Sequence, residues 1–340
     1  MKSNQRRPAK QNARILIAIL AVAYGMTVSM GARAALLLNA TGIADGFSLS
    51  TFYTDPAAGY GLLGAVNAPG GTAIASGYAR GQIYKFNDVD GQFFGSALLS
   101  GPAGGNPTGI ATVGGNVYVG LLGGAYYSVN TTTLALTPLS LASPVNAAYG
   151  LWGNEVNGHL VAGTSQGVLD INPLTGAFTV VGPAAGLDGV SVSPDGTIAY
   201  GEYFGSSVLG YSLTSPNPAL AVFSATGLPG GPDGTGVISG GAFNGDIIVN
   251  NNNGTVGLID HTTGLETIIA SGGARGDLVS PDLSNGTLFL TSSDSVYRLS
   301  CGPDCAIGSG PGPGTSVPEP ASINLLALGL VGLLLGRRRT

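Results

Sequence analysis

Val190-Ser191-Val192-Ser193-Pro194-Asp195-Gly196-Thr197-Ile198-Ala199-Tyr200 holds two short runs of alternating apolar and small residues around a four-residue turn. Pro194 presets a turn φ, Asp195 bonds locally to backbone and Gly196 tolerates a left-handed conformation, so the stretch reads as a β-hairpin.

The same pattern recurs along the chain. Outward from Asp188-Gly189-Val190-Ser191, related segments are Tyr60-Gly61-Leu62-Leu63, Thr108-Gly109-Ile110-Ala111, Tyr149-Gly150-Leu151-Trp152, Thr235-Gly236-Val237-Ile238 and Arg275-Gly276-Asp277-Leu278. Their glycines are spaced 48, 41, 39, 47 and 40 residues apart. Each segment leads through a turn such as Asn157-Gly158, Asn244-Gly245 or Asn285-Gly286 into a second strand, for example Val117-Tyr118-Val119 or Ile247-Ile248-Val249. A third strand follows in every unit, and a fourth in five, such as Ala177-Phe178-Thr179-Val180-Val181. The sixth unit stops at Cys301, while Phe47-Ser48-Leu49-Ser50-Thr51-Phe52-Tyr53 stands alone before the first. A repeat of this length, with one strand missing at one end and one spare at the other, predicts an all-β fold: a six-bladed β-propeller closed by an N-terminal strand. Radial closure also removes the exposed edges that so many short strands would otherwise present.

The Val190–Tyr200 unit resembles the blades of the YVTN/NHL and gluconolactonase-like propellers, in which a Ser-Pro-Asp-Gly turn joins the first two strands. That resemblance implies function at the channel mouth, where the innermost strands begin. The predicted ring is Tyr60, Thr108, Tyr149, Asp188, Thr235 and Arg275. Gluconolactonase-like enzymes hold a divalent metal on converging Glu, Asn and Asp side chains. Asp188 with Asp277 or Glu155 is the weak candidate for calcium here, and the expectation is no bound cofactor. His159 and His261 both fall beside turns, so no Ser-His-Asp or Cys-His constellation is expected. Trp152 is expected in the core, with a sugar-stacking platform as the other reading. The Asn250–Asn253 run reads as a polar turn whose amides could also meet sugars.

Composition narrows the function classes. Charged residues make up 9% of the 340 residues and glycine contributes 58, so the surface must be covered largely by small polar groups. Basic residues gather at the two ends. Residues 35–316 keep four of them against seventeen acidic ones, a formal charge of −13. Nucleic-acid binding, which needs clustered Lys and Arg, is excluded, and polyanions are repelled. Cys301 and Cys305 in Cys-Gly-Pro-Asp-Cys suit a small disulfide loop in an oxidising compartment, with a pair of free thiols or a redox or metal role as the alternatives.

The ends read as addresses. A basic stretch through Arg14, an apolar run over 15–23 and Ala32-Arg33-Ala34 predict a signal peptide over 1–34, cut after Ala34. The body is then 35–301 and a Gly/Pro linker 302–316. Val317-Pro318-Glu319-Pro320 follows, then sixteen uncharged residues over 321–336 and Arg337-Arg338-Arg339. As a transmembrane helix the uncharged segment spans about 24 Å, just short of the hydrocarbon core, and the arginines snorkel on the cytoplasmic face. This three-part order over 317–340 resembles the PEP-CTERM sorting domain of Gram-negative bacteria. The resemblance implies general secretion, anchoring in the inner membrane before processing by an exosortase, and then residence at the cell surface or in the matrix, in hosts rich in exopolysaccharide and biofilm functions. The expectation is a non-enzymatic binding or scaffold propeller. The alternative is an exported metal-dependent lactonase-like hydrolase.

Overall fold

The computed structural model describes residues 35–55, 61–184, 187–203, 206–302 and 305–307. The expected signal peptide with Ala32 and Ala34, the mouth residue Tyr60, the sorting motif Val317–Pro320, the helix over 321–336 and Arg337–Arg339 lie outside them.

The described strands form six sheets, each built around one repeat unit. The sequence hairpin is the inner half of blade 4, where Leu187–Val192 pairs antiparallel with Ile198–Tyr203, followed by Ser207–Ser212 and Phe223–Thr226. Its turn is held as its residue types dictate. Asp195 Oδ1 accepts from the Thr197 N–H at 3.1 Å, Ser193 Oγ accepts from the Ile198 N–H at 2.9 Å, and Gly196 has φ +73°. The innermost strands of blades 1, 2, 3, 5 and 6 are Leu62–Ala68, Pro107–Val113, Ala148–Asn154, Pro232–Ser239 and Gly276–Asp282. Each packs against the next, and the sixth against the first, which closes the ring. The chain is therefore a six-bladed β-propeller.

Closure uses the spare strand. Ser48–Thr54 pairs antiparallel with Ser295–Ser300 as the fourth strand of blade 6. The structure adds three braces that repeats could not reveal. Upstream, Leu37–Leu38 extends the outer edge of blade 5. The short helix Ala40–Ala44 that follows is capped by Asn39, whose Oδ1 accepts from the Gly42 N–H at 2.9 Å. In blade 1, an insertion between the third and fourth strands sends Gln92–Phe93 alongside the closing strand in parallel. Beyond the Cys301–Cys305 disulfide, Ala306–Ile307 pairs with the innermost strand of blade 5. The segment expected as linker from residue 302 is thus partly engaged in the fold.

Apolar clusters fill the spaces between neighbouring sheets. Trp152 is fully buried among Val161, Val190 and Val192, so it packs the core and offers no sugar platform. Asn250 and Asn251 are buried too. Asn250 Nδ2 donates to the Asp277 and Thr291 carbonyls, tying blade 5 to blade 6, and Asn251 Nδ2 donates to Glu266.

The turns between third and fourth strands share a device of their own. Asn130, Asn172 and Asp260 each accept two backbone N–H groups on one side-chain oxygen, and the turn ends on a left-handed residue: Leu134 (φ 60°), Gly176 (φ 72°) or Gly264 (φ 72°). Leu134 holds glycine's place because its side chain is buried in the cluster between blades 1 and 2. Left-handed backbone costs a non-glycine residue about 1–2 kcal/mol, while full burial of Leu is worth about 1.5–3 kcal/mol before any cavity is counted. Leu134→Gly is accordingly expected to lower stability by about 1–2 kcal/mol despite relieving the backbone. A thermal melt checks the sign, since a rise in Tm would mean that strain outweighs packing.

Candidate functional site

All six innermost strands carry a β-bulge at their entry, seen as a register shift between Leu62 and Ala65, Pro107 and Gly109, Ala148 and Leu151, Leu187 and Val190, Pro232 and Gly234, and Gly276 and Val279. A bulge sets two residues against one on the partner strand and re-aims a side chain. The structurally equivalent mouth positions that result are Leu63, Thr108, Tyr149, Asp188, Asp233 and Asp277.

These positions differ in part from the ring read from the repeats. Thr108, Tyr149 and Asp188 stand where expected. Leu63 takes the equivalent position in blade 1, Tyr60 lying outside the described residues, and in blades 5 and 6 Asp233 and Asp277 stand there, with Thr235 and Arg275 two residues away. The signal was present as an Asp-Gly pair, because Asp233-Gly234 matches Asp188-Gly189 once Gly234 is aligned in place of Gly236. Repeat spacings then become 45, 41, 39, 45 and 44, a narrower spread.

The glycines after these positions have a steric reason. A Cβ on Gly150 would lie 2.9 Å from the Asp188 carbonyl oxygen, one on Gly189 2.6 Å from Gly234 Cα, and one on Gly234 2.8 Å from Leu278 Cα. Backbones of adjacent blades touch there, and only glycine permits the approach.

The mouth is consequently two-sided. Blades 1–3 present Leu63, Thr108 and Tyr149. Thr108 is buried and its hydroxyl donates to the Ala148 carbonyl at 2.7 Å, so it joins blades 2 and 3. Blades 4–6 present three aspartates. Thr235, one step deeper, accepts from Ser191 Oγ at 3.0 Å and joins blades 4 and 5. Arg275, at the rim, pairs with Asp233 and Asp277 and donates through Nε to Asn252.

Glu202 completes the acidic side. It sits on the second strand of blade 4 opposite the Asp188-Gly189 bulge and is fully buried. Among the described residues no side chain donates to its carboxylate, whose one support is the Gly189 backbone, while Asp233 shares a hydrogen bond with Asp188 and meets Arg275 and Asn252. One oxygen from each of Asp188, Glu202 and Asp233 lies within 4.8 Å of the other two. Two full charges at that distance repel by about 3–4 kcal/mol at an effective dielectric of 20. Burial, then the neighbouring Asp188 and Asp233 charges, push the Glu202 carboxyl up to about 10. Asp188 is also pushed well up, by burial first and Asp233 second, and Asp277 rises for the same two reasons against the opposing pull of Arg275. No repeat argument found Glu202, because it comes from a second strand. Its trace in the sequence is a glutamate inside an otherwise uncharged run, Ile198-Ala199-Tyr200-Gly201-Glu202-Tyr203.

Other candidates lie elsewhere. Glu155 follows the far end of the innermost strand of blade 3 and accepts from the Gly114 N–H at 3.0 Å, so it does not converge with Asp188. His159 and His261 are paired with Asp170 and Asp246 at that same far end of their blades. Asp246, Asp260 and His261 form a second close group, but Asp260 there accepts from the backbone of its own turn.

With this geometry established, residues 316–339 match the exosortase-associated PEP-CTERM protein-sorting motif. The motif marks the chain for export with a membrane-anchoring C-terminal sorting signal and for exosortase processing. The fold is similar to a gluconolactonase from Xanthomonas campestris (TM-score 0.59, 14% identity, 78% of this chain and 94% of that one). It is also similar to a streptogramin B lyase (TM-score 0.48, 14% identity, 75% of this chain and 97% of that one). What these likenesses share is the propeller. A comparison with curated proteins found no match.

Proposed function

We propose that the chain is an exported binding or scaffold module of the cell envelope or extracellular matrix, in which the sorted tail delivers a propeller that acts by binding and not by catalysis. The observation that carries the proposal is the sorting motif at 316–339 attached to this body. Support for binding comes from the mouth. Its carboxylates and Tyr149 suit hydroxyl-rich ligands, and the formal charge of −13 over 35–316 disfavours polyanions, which points to a neutral exopolysaccharide. Both histidines are paired at the opposite end from the mouth and both cysteines are joined, so neither pair supplies the mouth with a relay or a thiolate.

Removing 317–340 is expected to reduce the cell-envelope share of the protein at least tenfold and to release the body into the medium, as measured by fractionation and immunoblot. An unchanged distribution would overturn the sorting half of the proposal. Co-sedimentation of the full chain with neutral polysaccharide tests the other half. One observation favours a metal-dependent lactonase-like hydrolase instead, namely the convergence of Asp188, Glu202 and Asp233. Turnover of simple lactones by the full chain, lost in Asp188→Asn, would establish that reading.

A further inference from the structure

We propose that the side of the propeller opposite the mouth rests on a phospholipid bilayer with zwitterionic headgroups while the sorting tail anchors the chain, so that the mouth points away from the membrane. The inference adds an orientation to the sorted-module reading, on whose anchoring it rests, and needs no particular ligand at the mouth.

The first observation is where the body hands over to the tail. In each blade the innermost strand runs away from the mouth, so the turns from first to second strand and from third to fourth lie on the far side. Ser239 ends the innermost strand of blade 5 on that side, and Ala306 pairs with it, with Ile307 beside Ile238. The Cys301–Cys305 disulfide and this pairing hold the last described residues at the far end of the ring. The innermost strand of blade 6 approaches those of blades 2 and 4 across the centre, which leaves no passage for a chain through to the mouth. Residues 308–316 separate Ile307 from Val317 and span at most about 30 Å even when fully extended, so an anchored tail keeps the far side close to the bilayer.

The second observation is the apolar cover of that side. Leu174 is 90% exposed at the tip of its turn in blade 3, where the sister turns of blades 2 and 5 place Thr132 and Thr262. Leu265 is 71% exposed just after the blade 5 turn, where its counterparts are Ala135 and Ala177. Leu220 and Val222, between the third and fourth strands of blade 4, and Val156, in the first turn of blade 3, are exposed as well and continue the arc. Among the described residues the mouth-side turns expose one large aliphatic side chain, Leu122, at 38%. Isolated surface leucines need no explanation, but these gather on one side, beside the tail, and replace small residues of the same repeat. Separate points along an arc suit a broad, deformable surface better than a compact partner. Charge selects the headgroup. The far-side turns of blades 3–5 hold Glu155, Asp195, Asp246 and Asp260 and neither Lys nor Arg, so an anionic surface would be repelled. Phe93 and Phe94 of the blade 1 insertion do not belong to this side, since Phe93 pairs with Thr54 at the mouth end of the closing strand.

Both native cysteines are joined, so a single introduced thiol can carry a fluorescent dye. The test reconstitutes the full chain, through its tail, into phosphatidylcholine vesicles whose acyl chains are brominated near the headgroup. Interfacial side chains reach about 5–10 Å into the bilayer, so a dye at Leu174→Cys or Leu265→Cys should be quenched at least about twofold, and one at Leu122→Cys should not. Adding anionic phosphatidylglycerol should weaken the quenching. Leu174→Asp combined with Leu265→Asp should abolish quenching of a dye at Leu220→Cys while the chain still floats with the vesicles, and should leave Tm unchanged because both leucines are exposed. Equal quenching at Leu174→Cys and Leu122→Cys would overturn the orientation, as would quenching at Phe93→Cys in place of Leu174→Cys, which would lay the ring on its edge. Quenching at Leu220→Cys that survives the double aspartate variant would also overturn it. A chain that fails to float would overturn the anchoring, and the orientation with it, while leaving polysaccharide binding at the mouth untouched.

Discussion

Gly189→Ala is expected to lower Tm by roughly 6–12 °C, corresponding to a loss of about 3 kcal/mol. The added methyl would stand 2.6 Å from Gly234 Cα and 2.7 Å from the Asp233 carbonyl oxygen. Both neighbours are backbone, so no side-chain rotation can relieve the clash, and blades 4 and 5 must separate where the ring is tightest. Gly234→Ala should behave alike, because its Cβ meets the Asp277 carbonyl oxygen at 2.5 Å. Neither glycine has a positive φ, so the effect is steric and not conformational. Gly123→Ala is the control, since a Cβ there meets nothing within 4 Å, and its Tm should move by less than about 2 °C. Equal melting shifts in Gly189→Ala and Gly123→Ala would show that the blades do not meet as described.

The second large effect is expected at the closing seam. Arg298, on the third strand of blade 6, is buried and pairs with Asp88, with Asp90 at 3.3 Å and with Asp282 at 3.4 Å. Its guanidinium also lies 5.3 Å from the Phe52 ring centroid and 5.0 Å from that of Phe289. Asp88 and Asp90 belong to the blade 1 insertion, Phe52 to the N-terminal closing strand and Asp282 to the innermost strand of blade 6. One side chain therefore fastens both ends of the ring. Arg298→Ala leaves two buried carboxylates uncompensated, which typically costs about 3–5 kcal/mol.

The loss should depend on pH with a definite sign. Burial, then the Asp88 charge, push the Asp282 carboxyl up to about 6, against an ordinary value of 3.8. A carboxyl whose folded pKa is raised holds its proton more tightly in the native state, so its contribution is fullest near pH 4 and declines as pH rises through about 6. Without Arg298 the decline should steepen, because the guanidinium is what favours the ionised form. At pH 7 the drop in Tm from Arg298→Ala should thus be at least twice that at pH 5, where the protonated Asp282 carboxyl needs less counter-charge. Equal drops at the two pH values would assign Arg298 to packing on Phe52 and Phe289 and not to charge.

The repeat was legible because it rests on local chemistry. Turn pairs such as Asn157-Gly158 and Asp195-Gly196 announce hairpins, and alternating apolar residues between them announce half-buried strands. The unpaired run at 47–53 could be matched to the short sixth unit by counting alone. Other features left weak traces or none. The insertion over 88–98 carries no repeat pattern, although Gly91 donates to the Thr51 carbonyl at 3.0 Å and Asp88 meets Arg298 across more than two hundred residues. Leu134 conceals a left-handed turn because its sequence shows a leucine where the sister turns show glycine.

By itself, then, the sequence determined the C-terminal sorting signal and the architecture. The sorting motif is contiguous, and blade periodicity is a property of neighbouring residues, so both survive without any knowledge of distant contacts. The tertiary structure alone decided the composition of the mouth. Six bulges shift the innermost strands by a residue relative to their partners, and a register measured in hydrogen bonds replaces one measured in glycines. That shift puts Asp233 and Asp277 beside Asp188 in place of Thr235 and Arg275. It also sets Glu202 behind them, because a bulge changes which side chains face the channel while leaving the hydrophobic period of the strand almost untouched.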